Sequence, residues 1–234
     1  AYGALRLVAR GGEGMRMRRV AATLFALVFV YAAGWALITP TFQTPDESEH
    51  FGAVQWFAET GRAVDATQGK RPPWADAESL VIDATRQLTT IERDSADAPW
   101  QPSIQAAYQA RVDAYPGGQP PRDNGGGFHP ATSTWTPLYY AMVSPAYLAT
   151  RDASVMSQVV ALRWTSALMG AMTAVLAMFT VLELLPRRRR LAIAAGVLLG
   201  FLPQFGFMSG AINNDAALNV LAALVVYLTV RGLR

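Results

Sequence analysis

The segment Thr44-Pro45-Asp46-Glu47-Ser48-Glu49-His50-Phe51 gathers three carboxylates and an imidazole within eight residues. Asp46 and His50 stand four apart, so on a helix they share one face. A carboxylate clustered in this way can act as a general base toward a hydroxyl. A plainer reading covers part of the segment. Thr44 as N-cap, Pro45 at the first helical position and Glu47 at the third make a capping box, and carboxylates in a first turn suit the helix dipole. That box needs only one carboxylate. Glu47 as the cap leaves Asp46 free.

A second polar cluster, Asn213-Asn214-Asp215, separates two apolar runs. An asparagine there can cap the following helix, although the cluster is more polar than a tight turn requires. Arg163 lies inside an otherwise apolar stretch. It either snorkels to the headgroups or grips a lipid phosphate through its bidentate fork. Phe128-His129-Pro130 and Trp135-Thr136-Pro137-Leu138-Tyr139-Tyr140 precede it. Trp135, Tyr139 and Tyr140 favour membrane interfaces, and their rings also suit sugar faces; His129 is a further candidate substrate contact. A divalent cation, Mg2+ or Mn2+, is an option for Asp46 and Asp215 with His50 nearby, though no spacing signature marks one. The chain holds no cysteine, which excludes disulfides and thiolate chemistry. It has no Gly-rich phosphate loop and no nucleophile elbow, which argues against nucleotide-driven chemistry.

The elements that must position these residues are mostly apolar helices. Charged residues make up 16% of the 234, against about 25% in a soluble domain. The deficit is concentrated in long runs. Val20 to Thr39 is about the twenty residues a bilayer span needs. It is longer than a signal-peptide core and is read as a retained first helix. Further runs cover Val155 to Leu185, Leu191 to Met208 and Ala216 to Val230. The fold class expected is an all-α membrane protein of about four transmembrane helices, with a large extracytoplasmic loop after the first span. In that loop, Asp46 to Gly61 reads as an amphipathic helix with Phe51, Val54, Phe57 and Ala58 on one face. Ala75 to Arg93 and Thr136 to Ala149 read as further helices, and the Pro/Gly clusters at 116–121 and 125–127 as loops.

Arginines before the first run, at Arg187 to Arg190, and at Arg231 and Arg234 all fall on one side if every run spans. The positive-inside rule makes that side the cytoplasm. The loop then lies outside and carries fourteen of the seventeen acidic residues. Glu183 is expected to pair with the arginine run. The domains expected are a basic cytoplasmic terminus at 1–19, a first span at 20–39, the extracytoplasmic loop at 40–154 and three further spans at 155–234. Lys70 is the one lysine, which fits the codon bias of a GC-rich bacterial genome. No basic patch interleaved with aromatics suggests nucleic acid. Both termini have the look of a longer chain cut short, and Met15-Arg16-Met17-Arg18-Arg19 reads as a natural start. The first fourteen residues would then be an upstream extension.

The order of these motifs resembles the C-type glycosyltransferase superfamily. They are Pro45-Asp46-Glu47 with His50-Phe51, a long loop, Thr136-Pro137-Leu138-Tyr139-Tyr140, and Gln204 followed by Ile212-Asn213-Asn214-Asp215. The nearest resemblance is to bacterial integral-membrane proteins carrying a domain of unknown function, related to aminoarabinose and protein-mannosyl transferases. It implies a polyprenyl-phosphate-linked sugar as donor and a glycan, lipid or protein acceptor at the outer face of the cytoplasmic membrane. It implies Asp46 as catalytic base, with Glu47 as second choice, and Asp215 as the acidic residue between the third and fourth spans. Members have more spans, so this chain would be an N-terminal portion. Trp135-Thr136 stands where members carry His-Pro or Tyr-Pro.

The expected function is therefore inverting glycosyl transfer with Asp46 as base. Positive charge for the leaving phosphate would come from Arg163 or a metal. A transporter or flippase would instead show charges within its spans, and these runs are nearly free of them. A non-catalytic scaffold of envelope assembly would use the acidic motifs only as caps.

Overall fold

A computed structural model describes residues 2–64, 72–94, 102–127 and 135–234. Nine α-helices are found among them and no strand. They are α1 (Tyr2–Ile38), α2 (Glu47–Thr60), α3 (Asp76–Asp94), α4 (Pro102–Asp113), α5 (Leu138–Ala149), α6 (Val155–Leu184), α7 (Arg189–Gly200), α8 (Pro203–Ser209) and α9 (Asp215–Gly232). Asp46 to Gly61 and Ala75 to Arg93 thus form helices close to the expected bounds. The helix at 102–113 was not singled out from the sequence.

The chain divides into two compact units. One comprises Ala1–Trp35, Ser166–Gly210 and Asp215–Arg234. Three of its segments belong to helices long and apolar enough to cross a bilayer: Met15–Ile38, Val155–Leu184 and Asp215–Gly232. A fourth candidate is the pair α7 and α8, bent by 62°. The expected third span, Leu191 to Met208, is therefore a broken helix. Pro203 accounts for the break, because proline lacks the N–H and disfavours a helical residue before it. Leu202 accordingly turns extended at ψ 121° and α8 starts afresh at Pro203. The core of this unit is small and tight. Ala21, Leu24 and Val28 from α1 meet Ala171, Ala174 and Met178 from α6 and Ala192 from α7. A Cβ on Gly196 would lie 2.6 Å from Leu24 and 3.0 Å from the Ala174 carbonyl oxygen, so glycine sets the helix spacing there, as small residues do in membrane bundles. Glu183 pairs with Arg234 at 2.9 Å and not with the arginine run.

The other unit comprises Ala36–Thr165 and Ala211–Asn214. Its helix α2 buries Phe51 and Val54, while Phe57 and Ala58 stay half-exposed. It packs on the Tyr139, Tyr140, Val143 and Tyr147 face of α5, with the Phe51 and Tyr147 rings 6.0 Å apart. The 72–78 segment and the 121–127 loop are laced together by backbone hydrogen bonds. Gly127 N donates to Pro72 O at 2.7 Å, Gly126 N to Pro73 O at 3.1 Å and Ala77 N to Pro121 O at 3.0 Å. This clasp leaves no room for a Cβ on Gly125, which would stand 1.8 Å from the Ala75 nitrogen. Trp74 Nε1 then donates to Ser48 O at 2.8 Å, which fixes the clasp to the first turn of α2.

Candidate functional site

The first turn of α2 is set by a buried ion pair. Arg163 and Glu47 are 1% and 0% exposed at their side chains. Arg163 Nε donates to Glu47 Oε1 at 2.7 Å and Nη2 to Oε2 at 2.6 Å, the bidentate arrangement that suits a guanidinium and a carboxylate. Nη1 donates to the carbonyls of Ala36 and Thr39 at 2.8 and 2.6 Å, and Nη2 also to Pro40 O at 2.8 Å. A guanidinium has five N–H donors, and here all are engaged. Arg163 is neither snorkelling nor holding a donor open for phosphate, which corrects both sequence readings of it. Its charge is consumed in tying the exit of α1 to α2.

Glu47 completes the arrangement. Its Oε2 accepts from Phe42 N at 3.0 Å and its Oε1 from Ile212 N at 3.2 Å. The 211–214 turn therefore meets the acidic motif directly. The expected capping box is absent. The Glu47 carboxylate reaches Phe42 and not Thr44, and the Thr44 hydroxyl is buried without a partner. A buried, fully bonded carboxylate is a poor candidate for proton transfer, so Glu47 falls out as the alternative base and becomes an anchor.

Asp46 has the opposite character. It precedes α2 at φ 54° and ψ 16°, its side chain caps nothing, and it is exposed. Among the described residues no hydrogen bond or ion pair engages its carboxylate. Phe42, four residues earlier, also has positive φ, at 61°. Left-handed backbone is uncommon for aspartate and a true outlier for phenylalanine. Two such residues persist only where the surroundings over-determine them. Here the Glu47 carboxylate clamps Phe42 N, and the Phe42 ring meets Phe51 edge-on at 5.5 Å.

One turn into α2, His50 N donates to Asp46 O at 2.9 Å. Its ring is buried, stacked on Trp135 at 4.0 Å and 19°, with Nδ1 3.1 Å from the Tyr140 hydroxyl. Tyr139 stands edge-on at 6.2 Å. Burial lowers the His50 pKa to about 4, so the imidazole is neutral at physiological pH. Burial likewise raises the Tyr140 pKa, helped by Tyr139. His50, Trp135, Tyr139 and Tyr140 thus stand together. His129 lies outside the described residues. Asn213 is buried, Asn214 half-buried, and Asp215 is the exposed first residue of α9 in the membrane-helix unit. Among the described residues no three His, Asp or Glu side chains converge as a metal site.

A further polar group escaped the sequence reading. Gln55 Nε2 donates to Arg122 O at 2.6 Å, and the Tyr147 hydroxyl to Glu59 Oε1 at 3.2 Å. Beside them Glu78 is 1% exposed and accepts from Ala75 N at 2.6 Å. Burial raises its pKa to about 7, opposed by the Ala75 hydrogen bond and Arg122 and reinforced by Glu59. A Glu three residues after Ala75, at the third position of a helix, was the available signal.

Several apolar helices of spanning length, with no strand among the described residues, define an all-helical, polytopic membrane protein. The family described as "Predicted membrane protein (DUF2142)" matches residues 29–234, and the chain belongs to it. No curated protein matches, and no solved structure does.

Proposed function

We propose that this protein transfers a sugar from a polyprenyl-phosphate donor to an acceptor hydroxyl of a glycan, lipid or protein, with Asp46 as the general base. The observation that carries the reading is the contrast between adjacent carboxylates. Glu47 is buried and bonded four times, whereas Asp46 is exposed, unengaged among the described residues and held in left-handed backbone. Strain of this kind clusters at functional sites. The resemblance in motif order supports the same residue. The arginine clusters favour a cytoplasmic N-terminus, with the polar unit outside.

In this reaction the acceptor oxygen bonds to the anomeric carbon as the bond from that carbon to the phosphate oxygen breaks. The electron pair leaves with polyprenyl phosphate, the hydroxyl proton passes to Asp46, and the configuration inverts. Glu47 and Arg163 position Asp46 and do not touch the substrate. The phosphate charge is met by groups other than Arg163, and no step is routed through a metal. The half-exposed Trp135 ring, backed by the buried His50 imidazole stacked on it, offers the apolar surface a sugar face requires.

Membranes containing the full-length protein and a radiolabelled polyprenyl-phosphate sugar test the reading. Asp46→Asn should lower transfer by about 10²–10⁴-fold, the usual worth of a general base, with the melting temperature unchanged. Undiminished transfer in that variant would remove Asp46 from catalysis. A scaffold would leave the envelope glycan intact even in an Asp46→Asn/Asp215→Asn double variant.

A further inference from the structure

The arginine run between α6 and α7 does more than mark a topology. Arg187, Arg188, Arg189 and Arg190 are consecutive and all exposed. They line an open concavity of about 1130 Å³ together with apolar residues that include Leu191 and Ala194. The one acidic side chain between Val155 and Asn214 is Glu183, and it is engaged by Arg234 at 2.9 Å. Among the described residues no ion pair or hydrogen bond engages the side chains of Arg187, Arg188 or Arg190. The α7 first turn contains no acidic residue either. Arg187, Arg188 and Arg190 are like charges within four positions and repel one another, so they favour an anion from outside the chain.

The surroundings say which anion. Helix α6 has 30 residues and contains an 18-residue stretch apolar enough to cross a bilayer, so the turn after Leu184 sits at a bilayer boundary. Leu184, Leu185 and Leu191 are 60%, 43% and 51% exposed beside the arginines. A ligand that meets both surfaces carries a phosphate and an acyl chain. We propose that Arg187, Arg188 and Arg190 bind the headgroup of an anionic phospholipid in the leaflet they face. Guanidinium groups engage the phosphate as forks, the Leu185 and Leu191 side chains meet the first methylenes, and the concavity seats the glycerol. Basic pockets beside membrane helices recognise headgroups in this way. The site is independent of the proposed transfer.

The test is lipid retention by the purified full-length protein. It is reconstituted in nanodiscs of equal phosphatidylglycerol and phosphatidylcholine, extracted mildly, and its bound lipids are counted by native mass spectrometry. The wild-type protein should retain phosphatidylglycerol preferentially, and Arg187→Gln/Arg188→Gln/Arg190→Gln should reduce that preference by roughly tenfold. Equal retention of the two lipids by the wild type overturns the proposal, as does an undiminished preference in the variant. Displacement of the lipid by millimolar inorganic phosphate also overturns it, because the ligand would then be a soluble anion. Should the glutamine variant fail to purify, Arg187→Lys/Arg188→Lys/Arg190→Lys keeps the charge and removes the forks. It should lose at least half of the preference, and full retention of the preference would refute the headgroup site.

Discussion

Arg163 and Glu47 meet through hydrogen bonds of 2.7 and 2.6 Å although 116 positions separate them in the chain. Removing either partner leaves a charge buried without compensation, which costs about 3–5 kcal/mol. Arg163→Met should therefore lower the melting temperature by roughly 10 °C in detergent, at a few degrees per kcal/mol for a chain of this size. Arg163→Lys should recover little of it, since an ammonium has three donors and cannot serve both Glu47 oxygens and the carbonyls of Ala36, Thr39 and Pro40. A lysine variant as stable as the wild type would show that charge alone, and not the fork, holds this junction.

Asp46 and Phe42 carry the strain that the Glu47 anchor sustains. Asp46→Gly releases a left-handed conformation that glycine adopts without penalty, and should stabilise the protein by up to about 1 kcal/mol. Asp46→Ala should destabilise it by a similar amount, because alanine lacks the local hydrogen bonding that eases aspartate into this region. Both variants should lose transfer. Stability rising in one inactive variant and falling in the other separates a stored strain from a simple structural role. Thermal melts of the three proteins under one condition decide it, and a less stable glycine variant would contradict the strain.

Much of this arrangement was visible in the residues themselves. Apolar length identifies α6, and turn chemistry marks the loops at 116–121 and 125–127. Pro203 interrupts the run at the bend before α8, but apolar length alone reads Leu191 to Met208 as one span. The Arg163–Glu47 pair was not legible. Each residue had a sound local explanation, a snorkelling cation and a helix cap, and only tertiary folding discloses that each is the other's partner. The left-handed Phe42 has no local signature at all, because phenylalanine does not favour that backbone; the Glu47 carboxylate imposes it. His50 shows an intermediate case. Its place on the helix followed from spacing, but its neutrality follows from burial against Trp135, which spacing cannot report.

His50 and Glu78 give the polar unit two opposing pH responses. His50 titrates near 4 when folded, below its ordinary 6.5. Between those values the unfolded chain binds more protons, so this residue makes stability rise with pH. Glu78 titrates near 7 when folded, above its ordinary 4.5. Between those values the folded protein binds more protons, so it makes stability fall as pH rises. Each shift corresponds to roughly 3 kcal/mol, and the windows overlap from 4.5 to 6.5. The wild-type contribution of the pair should be nearly flat there and should decline modestly toward pH 7. Glu78→Gln keeps an acceptor for Ala75 N and removes the falling component, so its stability should climb relative to wild type as pH rises through the window. His50→Gln removes the rising component, and its stability relative to wild type should drop over the same interval. Denaturant melts at pH 4.5, 5.5, 6.5 and 7.5 read both slopes. Variants whose stability differences from wild type do not change with pH would mean that neither group is held away from its ordinary ionisation.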